Sequence, residues 1–216
     1  MLEGFLEKIY PFLEEVIDEN QIALQRKRFF SQVGDIYEDE DFYSERLNAF
    51  LEWLLIDADT PYIRRPIIKY ILQNGGSLFD EETKVIAEAM IRSRRSIFLI
   101  AKKEKEFSVL EDIFDKDRFY VDVDPRIENT ERKAIVESRV CVLKGRSRIM
   151  STYLCFPDNI KKVLLKRLKL CKKDAGIDRD RFMEYAYTIF IRNERYKNIP
   201  IEKIAESLDH LISLKH

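Results

Sequence analysis

The pattern of apolar residues changes from helical to strand-like at residues 96–103, which read SIFLIAKK. This run of β-branched and aromatic residues follows a helical stretch. Upstream of it, apolar residues recur every three or four positions, as on one face of a helix; downstream, short apolar runs are separated by polar turns. Five such runs predict five strands, at 96–103, 107–114, 118–124, 134–143 and 148–156. Lys144 and Gly145 are the clearest hairpin signal. We therefore predict a small five-stranded, antiparallel, barrel-like sheet.

Helical patterns occupy both flanks of this sheet. Pro11 predicts a kink or restart in the first helix, Pro61 suits the start of the fourth, and Gly75-Gly76 its end. Three further helices are expected at 158–173, 178–195 and 201–214. The order predicts an α+β protein with an N-terminal helical region (1–95), a small β module (96–156) and a C-terminal helical region (157–216) that packs on the rest.

Composition narrows the class of protein. The chain has 216 residues, of which 45% are hydrophobic and 12% aromatic, too many for a disordered chain. No stretch approaches the roughly 20 apolar residues of a membrane span. Acidic residues among the first 15 positions do not fit a signal peptide. We expect a soluble, cytoplasmic protein without a membrane span.

The residues that usually carry chemistry are sparse. Cys141, Cys155 and Cys171 are 14 and 16 residues apart, whereas structural zinc sites usually draw on closely spaced pairs. The only histidines are His210 and His216, and no nucleophile-elbow, Walker A or dinucleotide-binding motif occurs. We expect three reduced, mostly buried thiols, no catalytic residue, no metal site and no cofactor.

Asp57 and Asp59 are the most enzyme-like feature. Two carboxylates two residues apart suit Mg²⁺ if further oxygen ligands complete the coordination, and this predicts a Mg²⁺-dependent hydrolase or nuclease. The other interpretation is a turn, since Asp often bonds backbone N–H groups there and Pro61 follows.

The distribution of charge is the strongest functional signal. Residues 1–93 hold 10 Lys and Arg against 19 Asp and Glu, whereas residues 94–216 hold 28 against 20. The stretch 144–173 holds ten basic residues and one acid, Asp158. We predict a binding surface made of hairpin residues and one helix face: Lys144, Arg146, Arg148, Tyr153, Lys162, Lys166, Lys169 and Lys173.

Such a surface suits a non-enzymatic binding or adaptor protein whose partner is nucleic acid or an acidic protein. Alternatively, these lysines are ordinary solvated surface, or they neutralise the acid-rich helices at 35–59 of the same chain. A third hypothesis is a structural subunit whose oppositely charged halves pair between two copies, giving a homodimer.

The middle of the chain resembles an uncharacterised bacterial family that is often joined to a C-terminal SEC-C zinc motif. The matching segments are FLEWLLID at 50–57, the helix end MIRS at 90–93, LEDI at 110–113 and ESRV at 137–140, within a span of about 50–157. The resemblance implies a helical layer that leads into a small β module, with no established reaction. The SEC-C motif needs a close cysteine cluster that this sequence lacks, so the resemblance implies no zinc site.

Overall fold

A computed structural model describes residues 2–59, 66–74, 79–174 and 178–212. Within these ranges the chain forms an α+β fold, as predicted. Five helices precede the sheet: α1 (Leu2–Val16), α2 (Glu19–Val33), α3 (Tyr43–Ile56), α4 (Ile67–Asn74) and α5 (Glu81–Ile91). The strands are β1 (Arg94–Lys103), β2 (Phe107–Asp112), β3 (Arg118–Asp122), β4 (Ile135–Leu143) and β5 (Arg146–Phe156), with a short helix α6 (Pro125–Glu128) between β3 and β4. Then follow α7 (Asp158–Asp174), α8 (Arg179–Arg195) and α9 (Ile201–Leu208).

The five strands form one curled, mixed sheet. Their order is β1-β2-β3-β5-β4, and β4 pairs again with β1. Four of the five pairings are antiparallel, as expected. The fifth, between β3 and β5, is parallel and has a single registered pair, Val121 with Ser147. The prediction of a purely antiparallel sheet is therefore wrong at this contact, where two strands remote in sequence meet.

Helices α1 to α5 and α7 to α9 pack on the outside of the sheet. Phe190 of α8 lies between the N-terminal helices and β5, with ring centroids 4.8 Å from Phe42 and 6.0 Å from Phe156. A second apolar cluster fills the concave side of the sheet and includes the buried residues Phe98 and Leu110. Alternating side chains of one strand therefore serve two different cores, which explains why β4 is buried on both faces.

Local boundaries differ from the prediction in a few places. Helix α1 continues through Pro11, so the expected restart does not occur. The predicted helix start at Pro61 and stop at Gly75-Gly76 lie outside the described residues. Helix α6 was not predicted; Asp124 caps it by accepting a hydrogen bond from the Arg126 amide, but four residues are too few to show a helical period. None of the helices in the described ranges combines the length and apolar character that crossing a membrane requires.

Candidate functional site

The basic residues of the β4–β5 hairpin, Lys144, Arg146 and Arg148, are exposed; we call them the hairpin group. The turn itself has φ of +52° at Lys144 and +76° at Gly145, which is the backbone of a tight two-residue hairpin. The Lys144 ammonium lies 3.9 Å from the Glu82 carboxylate. Arg148 Nε lies 3.1 Å from Asp122 Oδ2 on β3. Both are surface ion pairs, which hold a side chain only weakly.

Tyr153 is half-buried rather than exposed. Its ring packs against the apolar cluster inside the sheet, its hydroxyl donates a 2.7 Å hydrogen bond to Thr130 Oγ1, and the Arg126 guanidinium lies 5.6 Å from its ring centroid. Burial raises the pKa of the Tyr153 phenol to about 12. Because its ring face and hydroxyl are already engaged, we leave Tyr153 out of the candidate surface.

Tyr120 and Phe107 form an aromatic pair on the outer face of β2 and β3, and this pair replaces Tyr153 in the candidate surface. Tyr120 is 60% exposed, and its ring centroid lies 5.7 Å from that of Phe107. The flanking Phe119 and Val121 point into the sheet instead. Successive side chains of a strand point to opposite faces, so the sequence of β3 already indicates that Tyr120 faces away from its neighbours Phe119 and Val121.

Helix α7 presents the clearest cationic feature. Lys162, Lys166 and Lys169 are exposed on one face, and we call them the lysine row. The opposite face is buried through Ile160 and Leu164. The period of 3.6 residues therefore separates an inner and an outer side as predicted, with the difference that Leu170, expected inside, is 43% exposed.

The lysine row has no ion pair with any residue in the described parts of the chain. Within the described residues, no carboxylate of the acid-rich segment 35–59 forms an ion pair with the row; Glu40 of that segment pairs instead with Arg195 and Arg46, at 2.5 Å each. Lys172, one turn beyond the row, donates to the backbone carbonyls of Ile113 and Phe114 at 3.3 and 2.5 Å. The side chain of Lys173 lies outside what the structure describes.

Asp57 is an ion-pair partner of Arg139. Its carboxylate accepts a hydrogen bond from Arg139 Nη2, although Asp57, like Asp59, is exposed. Among the described residues, no group of three or more His, Cys, Asp or Glu side chains is arranged to hold a metal ion. The geometry therefore gives Asp57 a structural contact that its sequence neighbourhood did not predict.

Arg139 also joins a buried charge network between α3 and the sheet. Its Nε lies 3.6 Å from Glu52 Oε2, and Glu52 Oε1 accepts a 2.8 Å hydrogen bond from the Thr152 amide of β5. Glu52 and Arg139 are each 2% exposed. Burial raises the pKa of the Glu52 carboxyl, although the Thr152 amide and Arg139 oppose this. The network fixes α3 on strands β4 and β5.

Comparison of the chain with known proteins gives a family but no function. No curated protein matches the chain, and no solved structure does. A family model described as a family of unknown function (DUF7986) matches residues 11–201, which confirms the expected membership of an uncharacterised family over a longer span than the segments that suggested it. The chain therefore belongs to this family of unknown function.

Proposed function

We propose that this protein is a binding protein that holds single-stranded nucleic acid through the lysine row and the hairpin group. The observation that carries the proposal is the lysine row itself: three exposed ammonium groups without an ion pair in the described parts of the chain. Helix geometry sets Lys162 and Lys166 about 6 Å apart along the axis and Lys169 about 4.5 Å further on. Such a line of cations can follow one phosphate backbone and release its counterions.

The aromatic pair on β2 and β3 supports a single strand over a duplex. Unpaired bases stack on exposed aromatic rings irrespective of sequence, and Tyr120 is 60% exposed beside Phe107. Arg148, which contacts Asp122 at the end of the same strand, brings the hairpin group next to this face. A cation for the phosphate and a ring for the base would thus lie on adjacent strands.

The connectivity of the sheet favours the same surface. The order β1-β2-β3-β5-β4, with a helix between β3 and β4, resembles that of the OB fold, which also has five strands. OB folds bind oligonucleotides on the face of strands 2 and 3, between the β1–β2 and β4–β5 loops. Here the β4–β5 loop is basic, whereas the β1–β2 loop is mixed, with an ion pair of 2.6 Å between Lys102 and Glu104. We therefore expect the strand to approach from the β4–β5 side.

The test is a salt titration of binding to fluorescent single-stranded RNA and DNA of about 20 nucleotides. The logarithm of affinity should fall linearly with the logarithm of salt, with a slope of about 0.7 per phosphate contact. The triple variant Lys162→Gln, Lys166→Gln, Lys169→Gln should reduce that slope by about 2, because three contacts are lost. The pair Lys144→Gln, Arg146→Gln reports the share of the hairpin group in the same way.

The matched control is Lys27→Gln, Lys197→Gln, Lys203→Gln, which removes the same charge from exposed positions on other elements. It should leave the slope nearly unchanged. Equal losses in the two triple variants would mean that only net charge matters and would refute a defined surface. No binding by the wild type at low salt would refute the proposal and leave an acidic protein as the partner to be sought.

A further inference from the structure

A cavity of about 640 Å³ lies at the charge network, and Asp57 and Arg139 of that network line it. It is lined by side chains of α2, α3, β1, β4 and the first turns of α8. This volume is within the range of sites that enclose small organic molecules, roughly 300–1,000 Å³. The cavity is independent of the surface proposed to bind nucleic acid and contains none of its residues.

One wall of the cavity is apolar. Trp53 and Phe29 lie with ring centroids 5.3 Å apart at a tilt of 43°, and Met183 of α8 completes the wall. Phe29 and Met183 are buried, and Trp53 is half-buried. An apolar or aromatic group of a ligand would remove further surface of Trp53 from water here, which favours its binding.

The floor carries two arginines directly opposite each other. Arg95 of β1 and Arg139 of β4 are Cα partners in the antiparallel ladder, and both line the cavity. Like charges at directly opposed positions destabilise a sheet unless something compensates them. Arg139 is compensated by Asp57 and Glu52. Arg95 donates through Nε and Nη2 to Glu137 Oε1, at 2.9 and 2.5 Å, and its Nη1 has no hydrogen bond to the described residues.

The remaining arginines do not make the cavity a general anion site. Arg94 and Arg179 are neutralised by the same two carboxylates, Asp112 and Asp115, and Arg181 Nε lies 3.5 Å from Asp178 Oδ2. The cavity wall also carries carboxylates of its own on α8. Asp180 and Glu184 lie one turn apart, and neither forms an ion pair within the part of the chain that is described. Burial raises the pKa of the Glu184 carboxyl; the nearby Arg181 opposes this rise, and Asp178 adds to it.

The cavity therefore contains a guanidinium nitrogen, Arg95 Nη1, that has no hydrogen bond to the described residues. It also contains two carboxylates, Asp180 and Glu184, that have no ion pair with them, and an apolar wall. We propose that it binds a small zwitterionic molecule with an apolar group, an amino acid or a dipeptide. The carboxylate of the ligand accepts from Arg95 Nη1, its ammonium donates to Glu184, and its side chain packs on Trp53. A doubly charged anion such as phosphate gains from Arg95 but meets the carboxylates of α8, so the charge balance favours a ligand with both signs.

The experiment is a calorimetric and thermal-shift titration of the full chain with L-phenylalanine, L-leucine and glycyl-L-phenylalanine. At least one of them should bind and raise the melting temperature. Phenylalaninamide, which lacks the carboxylate, and N-acetylphenylalanine, which lacks the ammonium, should each bind at least tenfold more weakly than phenylalanine. The corresponding amide and acetylated derivatives serve if leucine or the dipeptide is the tighter probe.

Glu184→Gln removes the proposed ammonium partner with little change in shape and should weaken binding at least tenfold while the protein stays folded. Glu206→Gln, on the exposed side of α9, is the matched control and should bind like the wild type. The proposal is overturned if none of the three zwitterions binds at 10 mM, or if inorganic phosphate binds and they do not. It is also overturned if the amide and acetylated forms bind as tightly as the parent molecule.

Discussion

Replacing Arg139 by Leu should be among the most destabilising single substitutions in this protein. Arg139 is 2% exposed and is the cationic partner of Glu52, which is equally buried. The two groups approach to 3.6 Å. The substitution leaves the Glu52 carboxylate in the interior without its counter-charge, and removing one partner of a buried ion pair costs about 3–5 kcal/mol. The Thr152 amide still donates to Glu52, so we expect the lower half of that range.

The loss of stability caused by Arg139→Leu should increase with pH. Burial already raises the pKa of Glu52 above its ordinary value of 4.5, and loss of the Arg139 charge raises it further. The native state of the variant then binds a proton more tightly than the unfolded state. Its free energy of unfolding therefore falls as pH increases from the unfolded pKa towards the raised native pKa, by up to about 1.4 kcal/mol per pH unit. The destabilisation should be smaller at pH 5 than at pH 7.5.

Urea unfolding of four proteins at pH 5 and pH 7.5 tests this reasoning: the wild type, Arg139→Leu, Glu52→Gln and the double variant. Glu52→Gln removes the charge alone, because the amide oxygen that it introduces can still accept from the Thr152 amide. In that background Arg139→Leu should cost at least about 1 kcal/mol less than in the wild type, and its cost should no longer vary with pH. Two results would refute the buried pair. One is a cost of Arg139→Leu below about 1 kcal/mol in the protein that retains Glu52; the other is an equal cost at pH 5 and pH 7.5 in that protein.

Two further predictions concern the surface proposed to bind nucleic acid. Lys144→Asn should stabilise the protein by about 0.5–1 kcal/mol in urea unfolding, because Asn tolerates the positive φ of the hairpin turn better than Lys. Lys144→Gln should bring no such gain in stability. A gain from Gln as large as that from Asn would contradict the role of the backbone conformation. Tyr120→Ala should weaken single-strand binding by about 1–3 kcal/mol, measured by fluorescence anisotropy, with little change in stability because the ring is 60% exposed. Tyr196→Ala, at a 52% exposed tyrosine on another element, is its control, and equal effects of the two would remove Tyr120 from the surface.

Most of the secondary structure could be predicted because its signals are local. The five strands begin and end within two residues of the predicted positions, with β2 and β3 two residues shorter at their ends. The alternation of side chains that reveals a strand does not reveal its neighbours. The same pattern in β3 is compatible with parallel or antiparallel pairing, and so the parallel contact between Val121 and Ser147 was missed.

The candidate sites could be predicted only in part, for the same reason. The lysine row follows from a helical projection of residues 158–173, and its exposure on α7 agrees with that projection. The partners of Glu52 could not be inferred, because the Thr152 amide is 100 residues away in the chain. Asp57 looked like half of a metal site beside Asp59, and it acquired a different interpretation once Arg139, 82 residues later, was found next to it.

The sequence by itself determined where helices give way to strands and where the basic residues cluster, since periodicity and charge density are properties of neighbouring residues. Only the tertiary structure decided which charges are already neutralised. Lys162 and Arg139 are both single positive charges in the sequence, yet one lies on an outer helix face and the other is buried between two carboxylates. The difference arises because burial and ion pairing depend on elements that meet only when the chain folds.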